Sequence, residues 1–421
     1  MKKAFFIANV VLASTLSNLA LAAEVPDEVN KKFLEAIQAR ESGDVFASIE
    51  LLEQLMAAQP QYKRAELELA VAYYRAKLYA DSKAYAEDVL SDPTTPDAVK
   101  ETIDLFLSQL VAEQEAADEI RHNFSGSIGF GGGNDSNVQA TPDSTNLSGT
   151  TLTLSPGFVA QEDNYGMINL FGRHAYTMPG TVDLGSRPVL REWVSALNLY
   201  RKAYVDQGDY NLDVVTLTTG MDLISSTNWR ASIAARVDDI RLGDKALGLF
   251  KGLNASYTMI EDVNEYTFTA DITQQDYDGA DFKDREGVRS GLGAELMHQF
   301  TSAVAGKVAL NVALTNAKED YKTHVSKSIG TGLYYTGIES FLIYGELDYK
   351  AVDYDGVEIS YNHSRNETQV MGVLGATYSI AQGPLADWHV NARVSGTNNT
   401  SDVSIYDYTR TDASLDLSKR F

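Results

Sequence analysis

Six histidines carry the widest chemical repertoire in this chain: His122, His174, His298, His324, His363 and His389. None falls in an H-E-x-x-H pair, the spacing that sets two imidazoles on one helix face for zinc. Tyr361-Asn362-His363-Ser364-Arg365 puts a histidine beside a serine, the residue types of nucleophilic hydrolysis. Adjacent side chains on an extended chain point to opposite faces, so these two do not make a base–nucleophile pair there. His324 and His363, in expected outer loops, could meet haem, but solvated loop histidines are the simpler reading. Two identical tetrapeptides, Asp276-Tyr277-Asp278-Gly279 and Asp353-Tyr354-Asp355-Gly356, place carboxylates two residues apart. Oxygen-rich loops of this kind hold calcium, and Asp-Gly is equally a turn signal. Asp276, Asp278, Asp353 and Asp355 are therefore metal candidates, with the turn reading preferred. The chain has no cysteine, which excludes a disulfide framework, thiolate zinc sites and a cysteine nucleophile. The expectation is a protein that is not an enzyme and carries no cofactor.

With 421 residues, 35 Lys+Arg and 58 Asp+Glu, the net charge is −23. So acidic a chain lacks the electrostatic footprint of a nucleic-acid binder. Residues 1–22 read as a removable export leader. Met1-Lys2-Lys3 is basic, 4–16 is largely apolar, and Ala20-Leu21-Ala22 has the A-x-A cleavage pattern. Beyond residue 22 no apolar run reaches ~18 residues, the length of a membrane-spanning helix. An exported chain of this kind enters a membrane, if at all, as strands.

The elements that position these residues fall into two blocks, 23–121 and 122–421. In the first, Val29, Phe33 and Ile37, then Ile49, Leu52, Leu55 and Met56, recur at helical spacing. Glycine is absent between Asp44 and His122, as helix propensity favours. A period of about 34 residues is visible. Ser42-Gly43-Asp44-Val45-Phe46-Ala47-Ser48 falls opposite Ala76-Lys77-Leu78-Tyr79-Ala80-Asp81-Ser82, Leu52 opposite Ala86, and Pro60 near Pro93. Small residues at helix crossings, with a proline closing each pair, resemble tetratricopeptide repeats: about two repeats and a last helix over 96–120. A generic stack of helical hairpins is the alternative. Either offers a surface for docking polypeptide rather than for catalysis, and the block is acidic, with 21 acids against 10 bases.

After His122 the period becomes two. Trp229, Ala231, Ile233, Ala235 and Val237 alternate with Arg230, Ser232, Arg236 and Asp238. Tyr266, Phe268, Ala270 and Ile272 alternate with Glu265, Thr267, Thr269 and Asp271. Strands of about 10–14 residues are expected, longer than the ~5–6 of soluble sheets. Mid-strand charges such as Arg236, Asp271 and Asp348 require one face of each strand to meet water. In lipid every backbone group must pair within the sheet, so the sheet must close on itself. Long strands, apolar-out and polar-in alternation and aromatic ends point to an outer-membrane β-barrel. Fourteen strands are counted, beginning near residues 122, 150, 164, 190, 210, 228, 264, 288, 305, 326, 339, 367, 387 and 410, with 247–259 ambiguous. Outer loops are expected at 131–149, 177–188, 277–286, 318–325, 353–365 and 398–409, and an inner turn at Gly337-Ile338-Glu339. Phe421, in line with Ala413, Leu415 and Leu417, resembles the terminal aromatic read by the barrel-insertion machinery.

Leader, helical repeats and a roughly 14-stranded barrel ending in an aromatic resemble the surface lipoprotein assembly modulators, the Slam proteins. The more specific match is the barrel's opening, Gly126-Ser127-Ile128-Gly129-Phe130-Gly131-Gly132-Gly133-Asn134-Asp135-Ser136-Asn137-Val138. It looks like that family's Gly-rich, Asp-Ser-Asn-Val first strand and loop, with Gly131, Asn134, Asp135 and Asn137 as the matching residues. Gly131-Gly132-Gly133-Asn134-Asp135 also resembles one turn of a calcium-binding glycine–aspartate repeat, a motif that needs tandem copies. The Slam resemblance implies a non-catalytic factor that delivers a client, a surface lipoprotein or a secreted haem-binding-type protein, across the outer membrane. It implies a periplasmic helical domain that engages the client, with outer-membrane lipid and the insertion machinery as further partners. A polysaccharide exporter and a general diffusion porin are the alternatives from other classes.

Overall fold

The computed structural model describes residues 27–119, 121–147, 153–183, 188–225, 228–358 and 362–421; the leader lies outside them. The chain divides into two compact units, one holding the helices together with 178–188, the other holding 122–177 and 189–421.

The first unit contains five helices: α1 (Asp27–Glu41), α2 (Val45–Ala58), α3 (Lys63–Arg75), α4 (Tyr79–Ser91) and α5 (Asp97–Glu119). Asp44 caps α2, its carboxylate accepting from the Ala47 N–H at 3.0 Å. Gly43 and Lys77, opposite each other in the 34-residue register, both have left-handed backbones, φ 99° and 61°. The repeat is thus conformational even where the residue types differ. Two cores stack along the unit. Phe33, Ile49, Leu52, Leu55 and Leu69 form one, and Leu67, Val89, Ile103, Phe106 and Leu110 form the other. Helix α3 supplies both, Leu69 and Ala72 to one and Leu67 and Ala70 to the next, so it is buried on both sides, Glu66 and Glu68 included. Ala36, Ala65, Ala70, Ala72 and Ala86 are fully buried and let the helices approach closely. Each buried leucine contributes about 1.5–3 kcal/mol. An ion pair of 2.5 Å between Arg40 and Glu68, both buried, ties α1 to α3.

The second unit is a closed antiparallel barrel of fourteen strands: β1 (His122–Asp135), β2 (Asp163–Thr177), β3 (Pro188–Tyr204), β4 (Leu212–Ser225), β5 (Trp229–Leu242), β6 (Lys245–Glu261), β7 (Asn264–Tyr277), β8 (Gly287–Thr301), β9 (Val304–Ala317), β10 (His324–Tyr335), β11 (Phe341–Glu358), β12 (His363–Ser379), β13 (Trp388–Ser401) and β14 (Tyr408–Arg420). Each strand pairs with the next, and β1 pairs with β14, from Ser127 opposite Arg420 to Asp135 opposite Asp412. A two-residue strand, Val182–Asp183, adds beside β3.

The count of fourteen stands, with one exchange of membership. The segment expected to start a strand near Thr150 does not form one in its described part. Pro156-Gly157 breaks its alternation into a 3-10 turn over Pro156–Phe158, leaving only a single bridge between Asn146 and Thr153. The ambiguous stretch 247–259 is instead a full strand, β6, whose Gly248, Lys251 and Gly252 had blurred its period. Strands run from 12 to 18 residues, longer than expected. The position of the loops is corrected as well. Both ends of the barrel chain, His122 and Arg420, lie on one rim, here called proximal, so every link after an odd-numbered strand lies on the distal rim. The link 178–187 follows β2 and is therefore proximal, not with the expected outer loops. Links 136–162, 278–286, 318–323 and 402–407 are distal, and 336–340 is proximal as expected.

Candidate functional site

Strand register fixes which side chains face out. Ile168, Leu170, Leu199, Leu217, Ile233 and Leu253 fall on one parity and are exposed, as are Phe268, Leu292, Leu310, Ile329, Leu347 and Leu415. Aromatic pairs flank this band toward the proximal rim: Trp229–Tyr257, Phe341–Tyr378 and Phe130–Trp388, with ring centroids 6.0, 4.8 and 5.9 Å apart. Toward the distal rim the same outward face carries ion pairs, Arg201–Asp213 at 3.0 Å, Lys251–Asp276 at 3.3 Å and Lys327–Asp353 at 3.1 Å. Apolar belt, aromatic girdle and charged margin are the layering of a bilayer crossed by strands. Among the described residues no helix is long and apolar enough to cross a membrane. The chain is a transmembrane β-barrel of the outer membrane.

The opposite parity lines the lumen and is polar. Arg173 lies 3.6 Å from Glu192 and 3.7 Å from Asp222. Arg236 binds Asp238 at 2.8 Å, and Arg289 pairs with Asp271. Lys307 binds Glu346 at 2.9 Å, and Glu346 also accepts from the Tyr334 hydroxyl.

Where the first and last strands meet, a buried polar clasp closes the lumen wall. Asp135 is 0% exposed. Its carboxylate accepts from Arg410 Nε at 2.9 Å, from Arg410 Nη2, from the Tyr204 hydroxyl at 2.7 Å and from Lys202 Nζ at 3.1 Å. Lys202 also reaches Asp412 at 2.8 Å, over the Tyr165 ring 3.7 Å away, while the Tyr165 hydroxyl donates to Asp412 at 2.7 Å. One network therefore spans β3, β2, β1 and β14. Gly133 of β1 makes room for it, and Gly131 lets β14 lie close. A Cβ on Gly133 would sit 2.5 Å from Tyr165 Oη, and one on Gly131 would strike the Leu415 carbonyl and lie 2.5 Å from Asp416 Cβ. Asn137, also 0% exposed, donates to the Thr409 carbonyl at 2.9 Å and to the Thr141 carbonyl at 2.7 Å, fixing the start of the first distal link. Asn134 faces outward instead, bonding Glu162 at 2.8 Å and Asn164 at 3.1 Å. Of the four residues singled out by the motif, Asp135 and Asn137 belong to the clasp, Asn137 through its N–H to the Asp135 carboxylate at 3.1 Å, while Gly131 lies against Leu415 and Asp416 and Asn134 faces away. The spacing gave no sign of Lys202, Tyr204, Arg410, Asp412 or Tyr165. Their one trace is polar residues two apart at strand ends, Lys202/Tyr204 and Arg410/Asp412.

The remaining candidates scatter. Asp276 and Asp353 are held by lysines of neighbouring strands on the outward face, and they sit on β7 and β11, so the two tetrapeptides build no common site. The Asp278 main-chain N–H bonds the Leu247 carbonyl just past the β6–β7 ladder, and the Asp355 N–H bonds the Thr323 carbonyl from within β11, so the second tetrapeptide is strand rather than the expected turn. The histidines are partnered locally: His122 with His174 at 2.9 Å, His298 with Asn264 at 2.8 Å, His389 with Ser379 at 2.9 Å, His324 with the Lys322 carbonyl at 2.9 Å, and His363 at 3.6 Å from Asp402. Tyr361 lies outside the described residues. Phe421 exchanges two main-chain hydrogen bonds with Gly126, 2.8 and 3.0 Å, and a Cβ on Gly126 would lie 2.8 Å from its ring.

Toward the distal rim the lumen holds a cavity of 650 Å³ whose lining includes Arg285, Arg289, Lys322, Lys350 and Arg365. Ala140 from the first distal link joins this lining, so that link narrows the passage. On the lipid side a second hollow of 580 Å³ is lined by Ile233, Leu253, Ile272, Leu292 and Leu314, with Ala255 and Ala270 leaving the room.

No protein-family model matches this sequence, and no curated protein matches it. Among solved structures the chain is similar to a Pseudomonas aeruginosa FadL homologue (9% identity, TM-score 0.36, covering 71% of this chain and 90% of that one). It is similar also to a loop-deletion mutant of OmpT, an outer membrane protein of Vibrio cholerae (7%, 0.39, 71% and 99%). A third is a bacterial polysaccharide outer membrane secretin (9%, 0.39, 70% and 98%).

Proposed function

We propose that this chain is a non-catalytic translocation or assembly factor of the outer membrane. Its helical unit takes hold of an exported polypeptide, and its barrel brings that client to or across the membrane. The observation that carries this reading is the union, in one chain, of stacked helical hairpins with a closed, polar-lined barrel. A pore for small solutes requires only the barrel, whereas hairpin stacks present extended surfaces suited to peptide segments. The helical unit then stands in the periplasm. The Slam resemblance of residues 126–138 names the client class, a surface lipoprotein or a secreted haem-binding-type protein. Outer-membrane lipid and the insertion machinery, reading Phe421, complete the partners. A second reading, passage of acidic polymers or small anions, is favoured by the cationic lining of the distal cavity.

Surface delivery tests the proposal. The chain is co-expressed with the exported protein encoded beside it, intact cells are treated with protease, and the medium is assayed. Exposure or release of that protein that depends on this chain is the expected result. Unchanged delivery in cells that lack the chain sinks the client reading.

A further inference from the structure

We propose that the distal half of the lumen is an anion-binding site, built to hold solutes that carry carboxylate or phosphate groups. The whole chain bears −23, yet the cavity is lined by Arg285, Arg289, Lys322, Lys350 and Arg365, with Glu367 the one acid among its lining residues. Carboxylates answer part of this charge. Arg289 pairs with Asp271, Lys322 stands 3.8 Å from Asp284, and Arg365 Nε is 3.2 Å from Glu367. Among the described residues the ion pairs of this wall engage neither Arg285 nor Lys350.

Arg365 shows that the charge is held in place. Its guanidinium carbon lies 3.9 Å from the Tyr354 ring centroid and 3.8 Å from that of Tyr406, so an aromatic ring covers each face. A cation fixed in this way has little freedom left to lose when it meets an anion. Crowding like charges inside low-dielectric walls is costly and focuses the field, and an anion that enters relieves the repulsion. A strongly acidic protein that concentrates cations in one luminal cavity repels anions over its surface and attracts them at this point. The helices play no part in this argument, so the inference stands or falls apart from the client reading.

The test uses the full chain folded in detergent micelles and titrated calorimetrically with inorganic tripolyphosphate, with citrate as the carboxylate probe and maltotriose as the neutral one. Saturable binding of at least one anion is expected, with none of maltotriose. Binding of one anion alone supports the site and tells phosphate from carboxylate. The double variant Arg285→Gln/Lys350→Gln is expected to bind at least tenfold more weakly, and added salt to weaken binding further. Lys251→Gln, whose lysine pairs with Asp276 on the outward face, is expected to bind as the unaltered chain does. Heat-modifiable gel migration reports folding, and Lys350→Gln alone carries the test if the double variant does not fold. Absence of binding by both anions, or equal affinity in the luminal variants, overturns the proposal.

Discussion

Asp135 takes hydrogen bonds from Arg410, Tyr204 and Lys202, side chains of two other strands, and it has no exposure to water. Replacing it with alanine would leave Arg410 and Lys202 facing each other across a buried gap. Removing one member of a buried charge cluster costs about 3–5 kcal/mol, because the partners keep their desolvation without compensation. Asp135→Ala is therefore expected to lower the urea midpoint of barrel unfolding by that equivalent, and Asp135→Asn by less, since an amide oxygen still accepts from Tyr204. A midpoint unmoved by Asp135→Ala would mean that the clasp contributes nothing to closure. Asp135 and Asn137 stood out in the sequence through the resemblance of residues 126–138 to a Gly-rich, Asp-Ser-Asn-Val barrel opening. Their partners did not, because Arg410 lies 275 residues away and is one charged residue among many on an alternating strand. Local spacing records which side chain is special, and only register records what it meets.

At the scale of elements, period carried most of the information. Helices and strands separate cleanly at residue 121, and the outward faces read for 229–237 and 266–272 are the outward faces of β5 and β7, because lipid demands an unbroken apolar parity. The errors fell where alternation is indifferent to structure. Thr-Leu alternation near residue 150 imitates a strand until Pro156, and the glycines of β6 dilute a real one. The helical unit adds a pH dependence of its own. Tyr62, Tyr73, Tyr74, Tyr79 and Tyr85 all have hydroxyl pKa values raised, chiefly by burial. Acceptance by Glu53 at Tyr73 and by Glu113 at Tyr74, the latter at 2.6 Å, adds to the rise. A group raised in the folded state holds its proton where the unfolded chain has lost it, so its contribution is full below about pH 10 and falls as pH rises further. Helical signal of the full chain should therefore decay on alkaline titration from about pH 10 upward, ahead of strand loss. Tyr73→Phe/Tyr74→Phe removes two ionising groups and is expected to move that decay to higher pH. Circular dichroism together with the tyrosinate absorbance checks both, and a helical signal flat to the point of barrel unfolding would refute the assignment.

For the whole molecule, the decisive feature is that the barrel completes itself. β1 takes β2 on one side and β14 on the other, so the ring of fourteen strands is closed without an open seam. The helices in turn bury their apolar residues in two cores of their own. Each unit thus pairs its backbone within itself, and the barrel's apolar belt meets lipid rather than the helices, which is the condition for a segment to fold without its neighbour. Deleting 26–120 behind the leader is accordingly expected to leave a heat-modifiable, protease-resistant barrel in the outer membrane. Its melting temperature should lie within a few degrees of the full chain's, while client delivery is lost. The two readouts separate the roles, since a barrel that reaches the membrane but delivers nothing locates client capture in the helices. A remainder that fails to shift on heating would show that the helical unit is needed to close the β1–β14 seam, and the division of labour would then be wrong at its base.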